Sequence, residues 1–205
     1  MIKLNSNVNI SKSIEWAFNK MNAHLTNNRI RVDFTLELLL DEKIKSQGYK
    51  RCKRSGNIII LSSDDAGFMY GILDLATAII HEGGIEGVGE LIITPYIENR
   101  GVKFNIPLDA RTPSYSDASD SAFHNIENMW DFSFWTEFLD RMAIDKYNVL
   151  SLWSLSPFPS LVSIPKYPLI ALDDVKKSMR PIKADLGYVG KAKKLKSRVS
   201  TYFHK

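Results

Sequence analysis

Only one cysteine occurs among the 205 residues, which excludes an internal disulfide. Cys52 stands in a Lys-Arg-Cys-Lys-Arg run, residues 50–54, whose charge reads as a solvated loop. No stretch of 18 apolar residues exists, so no membrane span is expected. The first ten residues lack the basic-then-apolar profile of a secretory signal, and the default expectation is a soluble cytoplasmic protein. His24, His81, His124 and His204 are scattered, with no HxxxH or HExxH spacing. Zinc needs three or four convergent ligands, so no metal is expected. Gly83, Gly84, Gly87 and Gly89 lack the GxGxxG order and follow a helical pattern instead of a strand, so no phosphate-cradling loop and no cofactor are expected. What is present is ordinary globular material: 44% hydrophobic and 11% aromatic residues support a packed core in one large domain or two small ones.

Acidic residues are nearly missing from one end. Residues 176–205 hold ten Lys and Arg against the single Asp185, a charge of +9 that leaves −5 on residues 1–175. The net +4 therefore describes the tail and not the body. Beyond Ser178 the hydrophobic period fades, and residues 176–205 read as a basic tail, either a genuine appendage or a disordered, foreign stretch such as a frameshift produces. Charge runs of this kind are usually solvated, and nucleic acid is not the expected partner.

Residues 1–95 read as a small α+β domain. Ser11 caps a helix with Ile14, Ala17, Phe18, Met21 and Leu25 on one face, ended by Asn27-Asn28. From Ile30 to Leu38 the period becomes two, a half-buried strand. Residues 41–55 are charged and contain Gly48, which reads as a turn or loop; Asn57–Leu61 is a more buried strand. A second helix comes next, capped within Ser62–Asp65, with Phe68, Ile72, Leu75, Ala76 and Ile79 on one face. Gly67 and Gly71 each cost this helix about 1 kcal/mol relative to alanine, so a close approach to the sheet is expected there. Gly83-Gly84 ends it and Leu91–Thr94 makes a short strand.

Residues 96–175 carry a different pattern. Arg100 to Ile106 alternates into a strand that stops at Pro107, and a polar loop runs on to Asn128. Asp131 or Ser133 caps a helix whose apolar stripe is Trp135, Phe138, Leu139, Met142 and Ala143, with Glu137 placed to pair with Arg141. Asn148–Trp153 is a strand again. Strand, loop, helix, strand is a βαβ unit and calls for a parallel sheet, whose C-terminal strand ends are where such sheets bind ligands. Asp173-Asp174 reads as the start of a solvated helix.

These residues resemble a known group of enzymes. The helix Asp65-Ala-Gly-Phe-Met-Tyr-Gly-Ile-Leu-Asp-Leu is similar to the glycine-containing helix of the small non-catalytic domain that precedes the catalytic barrel in β-hexosaminidases and α-glucuronidases. Pro95, then Arg100-Gly101, then Lys146-Tyr147-Asn148 occur in the order in which those enzymes open their (β/α)8 barrel. The resemblance covers about residues 10–175. It implies a β-hexosaminidase domain-2-like α+β domain over 1–95, the start of a glycosidase barrel over 96–175, and an oligosaccharide or glycoside as partner. The hexosaminidases follow Arg-Gly closely with Asp-x-x-Arg, whose arginine grips sugar hydroxyls; here Asp109-Ala110-Arg111 is one residue tighter and further downstream. A related barrel glycosidase acting on another sugar, a uronic acid or a deoxy-sugar, fits that departure.

A whole (β/α)8 barrel takes about 250 residues. From Arg100 onward only 106 remain, so the expectation is the truncated front of a glycosidase. The carboxylates that the family supplies from a later strand would be absent, the chain alone would be inactive, and no residue is assigned a catalytic role. Candidate substrate-binding residues are Asp109 and Arg111, which can pair with vicinal hydroxyls or simply with each other across a turn, and Trp153, which can stack on a pyranose or pack in a core. Arg100 can orient the loop beyond its strand or make a structural ion pair. A non-catalytic carbohydrate-binding or assembly module, with a partner chain completing the barrel, is the alternative. A third reading, binding of an anionic partner through residues 176–205, predicts steep salt dependence.

Overall fold

The computed structural model describes residues 2–105, 128, 131–153, 166, 175–178 and 201–204. The chain divides into two units, Met1–Glu98 and Asn99–Lys205.

Alternation along Ile2–Ser6 puts Ile2, Leu4 and Ser6 inward and forms strand β1. Helix α1, Lys12–Asn27, begins where the Ser11 side chain accepts the Ile14 N–H, and its face of Ile14, Ala17, Met21 and Leu25 is buried. The helix closes with Arg29 at φ 59°, while the Arg29 and Ile30 N–H groups bond back to the Thr26 and Leu25 carbonyls. Strand β2 is Phe34–Leu40, with Phe34, Leu36 and Leu38 buried; residues 30–33 precede it and are not strand, although Ile30 and Val32 pack on the core.

Strand β3 is Tyr49–Arg54 and strand β4 is Asn57–Ser62. The first corrects the expected loop over 41–55, and with it the solvated-loop setting of Cys52, which pairs with Ile59 and is only partly exposed. Two effects make a strand of so charged a segment. Ser55 and Gly56, at φ 50° and 82°, supply the two positive-φ residues that a tight hairpin requires. The cations of β3 also have partners: Arg51, 6% exposed, donates through Nε to the Gly89 carbonyl, and Lys53 Nζ donates to the Ile85 and Glu86 carbonyls and to the Glu86 carboxylate.

Helix α2, Asp65–Glu82, is capped by Asp64, whose carboxylate accepts the Gly67 N–H, and ends at left-handed Gly83. Strand β5, Leu91–Ile93, completes a five-stranded sheet of order β1-β2-β4-β3-β5. β1, β2 and β4 run parallel, while β3 is antiparallel to both β4 and β5. α1 and α2 pack together, and α2 packs on β3 and β4. Their buried side chains meet those of β2, β3 and β4 in one core, each large aliphatic or aromatic group contributing about 1.5–3 kcal/mol. The two helix glycines mark the contact. A Cβ on Gly71 would lie 2.8 Å from Ile60 Cγ2 and 3.1 Å from the Tyr49 ring, and one on Gly67 would collide with the Gly48 carbonyl and the Ser62 hydroxyl.

In the second unit, strand β6 (Gly101–Asn105), helix α3 (Phe132–Ile144) and strand β7 (Val149–Trp153) form a βαβ unit with β6 and β7 parallel. Asp131 caps α3 through the Ser133 N–H. Arg141 pairs with Asp145 at 3.0 Å instead of the expected Glu137, a bond that lies at the helix end, where the last carbonyls favour a cation. On the expected apolar stripe Met142 is buried, Trp135 and Phe138 are half-buried, and Leu139 is 48% exposed, so α3 is not a core helix among the described residues. Asp173-Asp174 lies outside the described residues. Directly after it comes strand β8 (Val175–Ser178), antiparallel to strand β9 (Thr201–His204), where a helix was expected.

Candidate functional site

The parallel register of β6 and β7 pairs Gly101 with Val149 and ends with Asn105 opposite Trp153. Those two residues close the C-terminal ends of the strands, the edge at which parallel α/β sheets bind ligands. Trp153 therefore holds the expected place, as the last residue of β7. Asn105 was not foreseen as a candidate; its signal was available in the sequence, as a polar residue near the end of an alternating run, two residues before Pro107. Asp109 and Arg111 lie outside the described residues.

At the opposite end of the same strands, the residues of the Arg-Gly and Lys-Tyr-Asn motifs meet. The last turn of α3 closes with Lys146 at φ 62°, its N–H bonded to the Ala143 carbonyl and the Tyr147 N–H to the Met142 carbonyl. This turn presents the Lys146 carbonyl to Arg100, whose Nε donates to it at 2.7 Å. The Arg100 backbone N–H donates to Asn148 Oδ1 at 2.8 Å, and the Arg100 carbonyl accepts the Asn148 and Val149 N–H groups at 2.8 and 3.1 Å. Gly101 comes next because a Cβ there would lie 3.0 Å from both the Cβ and the carbonyl oxygen of Val149. Arg100 thus ties strand to helix end before β6 begins. The loop beyond β6, residues 106–127, lies outside the described residues.

Aromatic side chains crowd the N-terminal half of α3. Phe134 and Trp135 meet edge to face at 5.4 Å, Trp135 and Phe138 at 6.1 Å, and Phe134 stacks on Phe138 at 5.9 Å. At the start of the helix the Ser133 hydroxyl and N–H hold the Asp131 carboxyl below its ordinary range.

The titrating group most displaced from its usual range lies in the first unit. Tyr49 is fully buried and its hydroxyl donates to Asp74 Oδ2 at 2.6 Å, binding β3 to α2. Burial chiefly, then the bond to Asp74 and its charge, push the phenol well above the ordinary tyrosine value, with Arg51 acting weakly the other way. The arrangement is a strap between elements. Among the described residues no three His, Cys, Asp or Glu side chains converge on a metal position, and no helix is long and apolar enough to cross a membrane.

No protein-family model and no curated protein matches the chain. Solved structures do. A GH138 enzyme targeting pectin rhamnogalacturonan II is similar over 82% of this chain and 20% of its own, with a TM-score of 0.63 and 18% identity. The GH20 exo-β-N-acetylglucosaminidase of Vibrio harveyi is similar over 73% and 21%, with a TM-score of 0.47 and 10% identity. The β-hexosaminidase of Streptomyces plicatus is similar over 82% and 33%, with a TM-score of 0.47 and 18% identity. The chain spans a fifth to a third of the length of these proteins.

Proposed function

We infer that the fold, similar to that of the GH138 enzyme, is α+β: a small sheet-and-helix domain followed by a βαβ unit of the kind that opens a (β/α)8 barrel. We propose that the chain is the front part of a glycoside hydrolase that cleaves O-glycosidic bonds. The observation that carries this reading is the fold similarity over 82% of the chain, a larger share than either unit alone holds. The domain limits are then 1–95, 96–175 and a basic tail over 176–205, in a protein of the cytoplasm.

Asp109, Arg111 and Trp153 contact the sugar at the C-terminal strand edge. Planar guanidinium and carboxylate groups match vicinal hydroxyls, and the indole stacks on the ring. A uronic acid or a deoxy-sugar is the substrate class; the similar GH138 enzyme targets a pectin rhamnogalacturonan. Cleavage needs two carboxyl groups, about 5–5.5 Å apart for retention or about 6.5–9.5 Å for inversion. Later barrel strands supply them, so this chain alone binds without hydrolysing. Assays of the purified chain on aryl glycosides should show no turnover. Turnover that disappears on Asp109→Ala or Arg111→Ala would sink the inactive-fragment reading.

A second reading is a non-catalytic carbohydrate-binding or assembly module whose βαβ unit docks on a partner chain. It is favoured by the apolar surface the unit leaves open: Phe132, Leu139, Tyr147, Val149 and Leu152 are all more than a third exposed. It predicts sugar affinity without hydrolysis together with a stable, monodisperse complex in gel filtration.

A further inference from the structure

We infer that Arg100 is a register-setting residue, and that through the register it positions Asn105 level with Trp153 at the ligand edge. The inference rests on the glycosidase reading only for the use of that edge; the clamp itself stands on its geometry.

Parallel strands without strict alternation specify their register weakly. β6 alternates, Gly-Val-Lys-Phe-Asn, but β7 reads Val-Leu-Ser-Leu-Trp with apolar residues at both parities, so the pair lacks strict alternation. A slip of two residues would keep every side chain on its face while removing Asn105 from its place opposite Trp153. Something other than hydrophobic patterning must oppose that slip. The bonds of Arg100 supply it, because they join one residue to Lys146, Asn148 and Val149 of the partner segment. Its Nε reaches the Lys146 carbonyl, its N–H reaches Asn148 Oδ1, and its carbonyl takes the Asn148 and Val149 N–H groups. A slipped strand cannot keep these bonds together, since the Lys146 carbonyl is fixed by the left-handed end of α3. The close fit of Gly101 on Val149 adds a steric stop, for any other β6 residue at that place would bring a Cβ into the 3.0 Å gap. Arg100 acts on the site through the strands, from their N-terminal end, which makes it a positioning residue.

Disulfide trapping in the full chain with Cys52→Ser tests this. Level residues on neighbouring strands stand about 4.8 Å apart, within the Cα range of about 4.4–6.8 Å that a disulfide tolerates. Asn105→Cys with Trp153→Cys reports the native register, and Asn105→Cys with Ser151→Cys reports a slip of two. With Arg100 present the level pair should oxidise several-fold more completely than the slipped pair. Arg100→Met should bring the two yields to within about twofold, and Arg100→Lys, which restores a donor to the Lys146 carbonyl, should recover most of the preference. Asn148→Ala removes only the side-chain acceptor and should give an intermediate ratio, so the test survives a failure of Arg100→Met to fold. An unchanged ratio in both Arg100→Met and Asn148→Ala overturns the inference. Titration of the chain and of its Arg100 and Asn148 variants, without the added cysteines, with an oligogalacturonide separates the two ideas: no affinity in any of them, beside a shifted trapping ratio in the cysteine pairs, removes the uronic-acid glycosidase reading and leaves the clamp.

Discussion

At the residue scale, two glycines and one tyrosine show how little room the first unit leaves. Alanine at position 71 would gain about 1 kcal/mol in helix propensity. Its methyl, however, would press on Ile60 at 2.8 Å and on the Tyr49 ring at 3.1 Å, and overpacking of this kind costs about 1–3 kcal/mol. Packing wins, so Gly71→Ala should lower the thermal midpoint. Gly67→Ala should lower it further, because its Cβ meets the Gly48 carbonyl, which the Ser62 hydroxyl already holds at 2.8 Å. Thermal melts followed by circular dichroism check both; a raised midpoint for either would contradict the close approach. Tyr49 carries a pH dependence. Its folded phenol titrates above the ordinary value, so its stabilising contribution is complete below pH ~10. That contribution erodes as the pH climbs from there toward the raised folded value. Tyr49→Phe should cost about 1–3 kcal/mol at neutral pH through the lost bond to Asp74, and should flatten the alkaline fall of stability. Denaturant titrations at pH 7 and pH 11 measure both, and a parallel alkaline fall in the two proteins would rule out Tyr49 as its source.

At the element scale, the caps and stripes were legible while β1, β3, β8 and β9 were not. Ser11, Asp64 and Asp131 stand where a side-chain oxygen meets a free N–H, and α1, α2 and α3 start there. The spacing of Phe68, Ile72, Leu75 and Ile79 marked a face of α2 that is buried in the core. β3 was hidden because hydropathy treats Arg51 and Lys53 as solvated, whereas backbone carbonyls of residues 85–89 accept their protons. Its one visible sign was the Ser55-Gly56 pair. β1 was hidden by brevity, five residues of mixed polarity. For the site, the parallel βαβ order was readable, and so was the edge position of Trp153. The role of Arg100 was not, since its partners are a carbonyl made available by a left-handed turn and an amide 48 residues away. That turn yields a prediction of its own. A lysine held at φ 62° carries about 1–2 kcal/mol of strain that glycine escapes. Lys146→Gly should therefore stabilise the end of α3 by up to about 1 kcal/mol while leaving the carbonyl that Arg100 uses. Hydrogen exchange at Tyr147 and Asn148 reads it; faster exchange there would mean that the lysine side chain contributes more than its backbone costs.

At the scale of the whole molecule, the two units differ in how they hold themselves together. The first has a continuous core drawn from both helices and from β2, β3 and β4, with its largest side chains at or near zero exposure. The described part of the second has one buried large hydrophobe, Met142, beside exposed Phe132, Leu139, Val149 and Leu152. A parallel strand pair is ordinarily covered on both faces, and two strands alone are marginal in water. Local opening tracks buried contact, so amides of β2, β4, α1 and α2 should exchange only through global unfolding, while those of β6 and β7 exchange orders of magnitude faster. Limited proteolysis with mass spectrometry should accordingly leave a fragment ending near Glu98. Open apolar strand edges are also an association hazard. Val149→Lys with Leu152→Lys should reduce light scattering on warming without lowering the melting of the first unit, because neither residue belongs to its core. Equal protection across β4 and β7 would point instead to a second unit that is complete in itself. Sugar binding by the chain would then be the first activity to measure, and the docking role of the βαβ surface would fall.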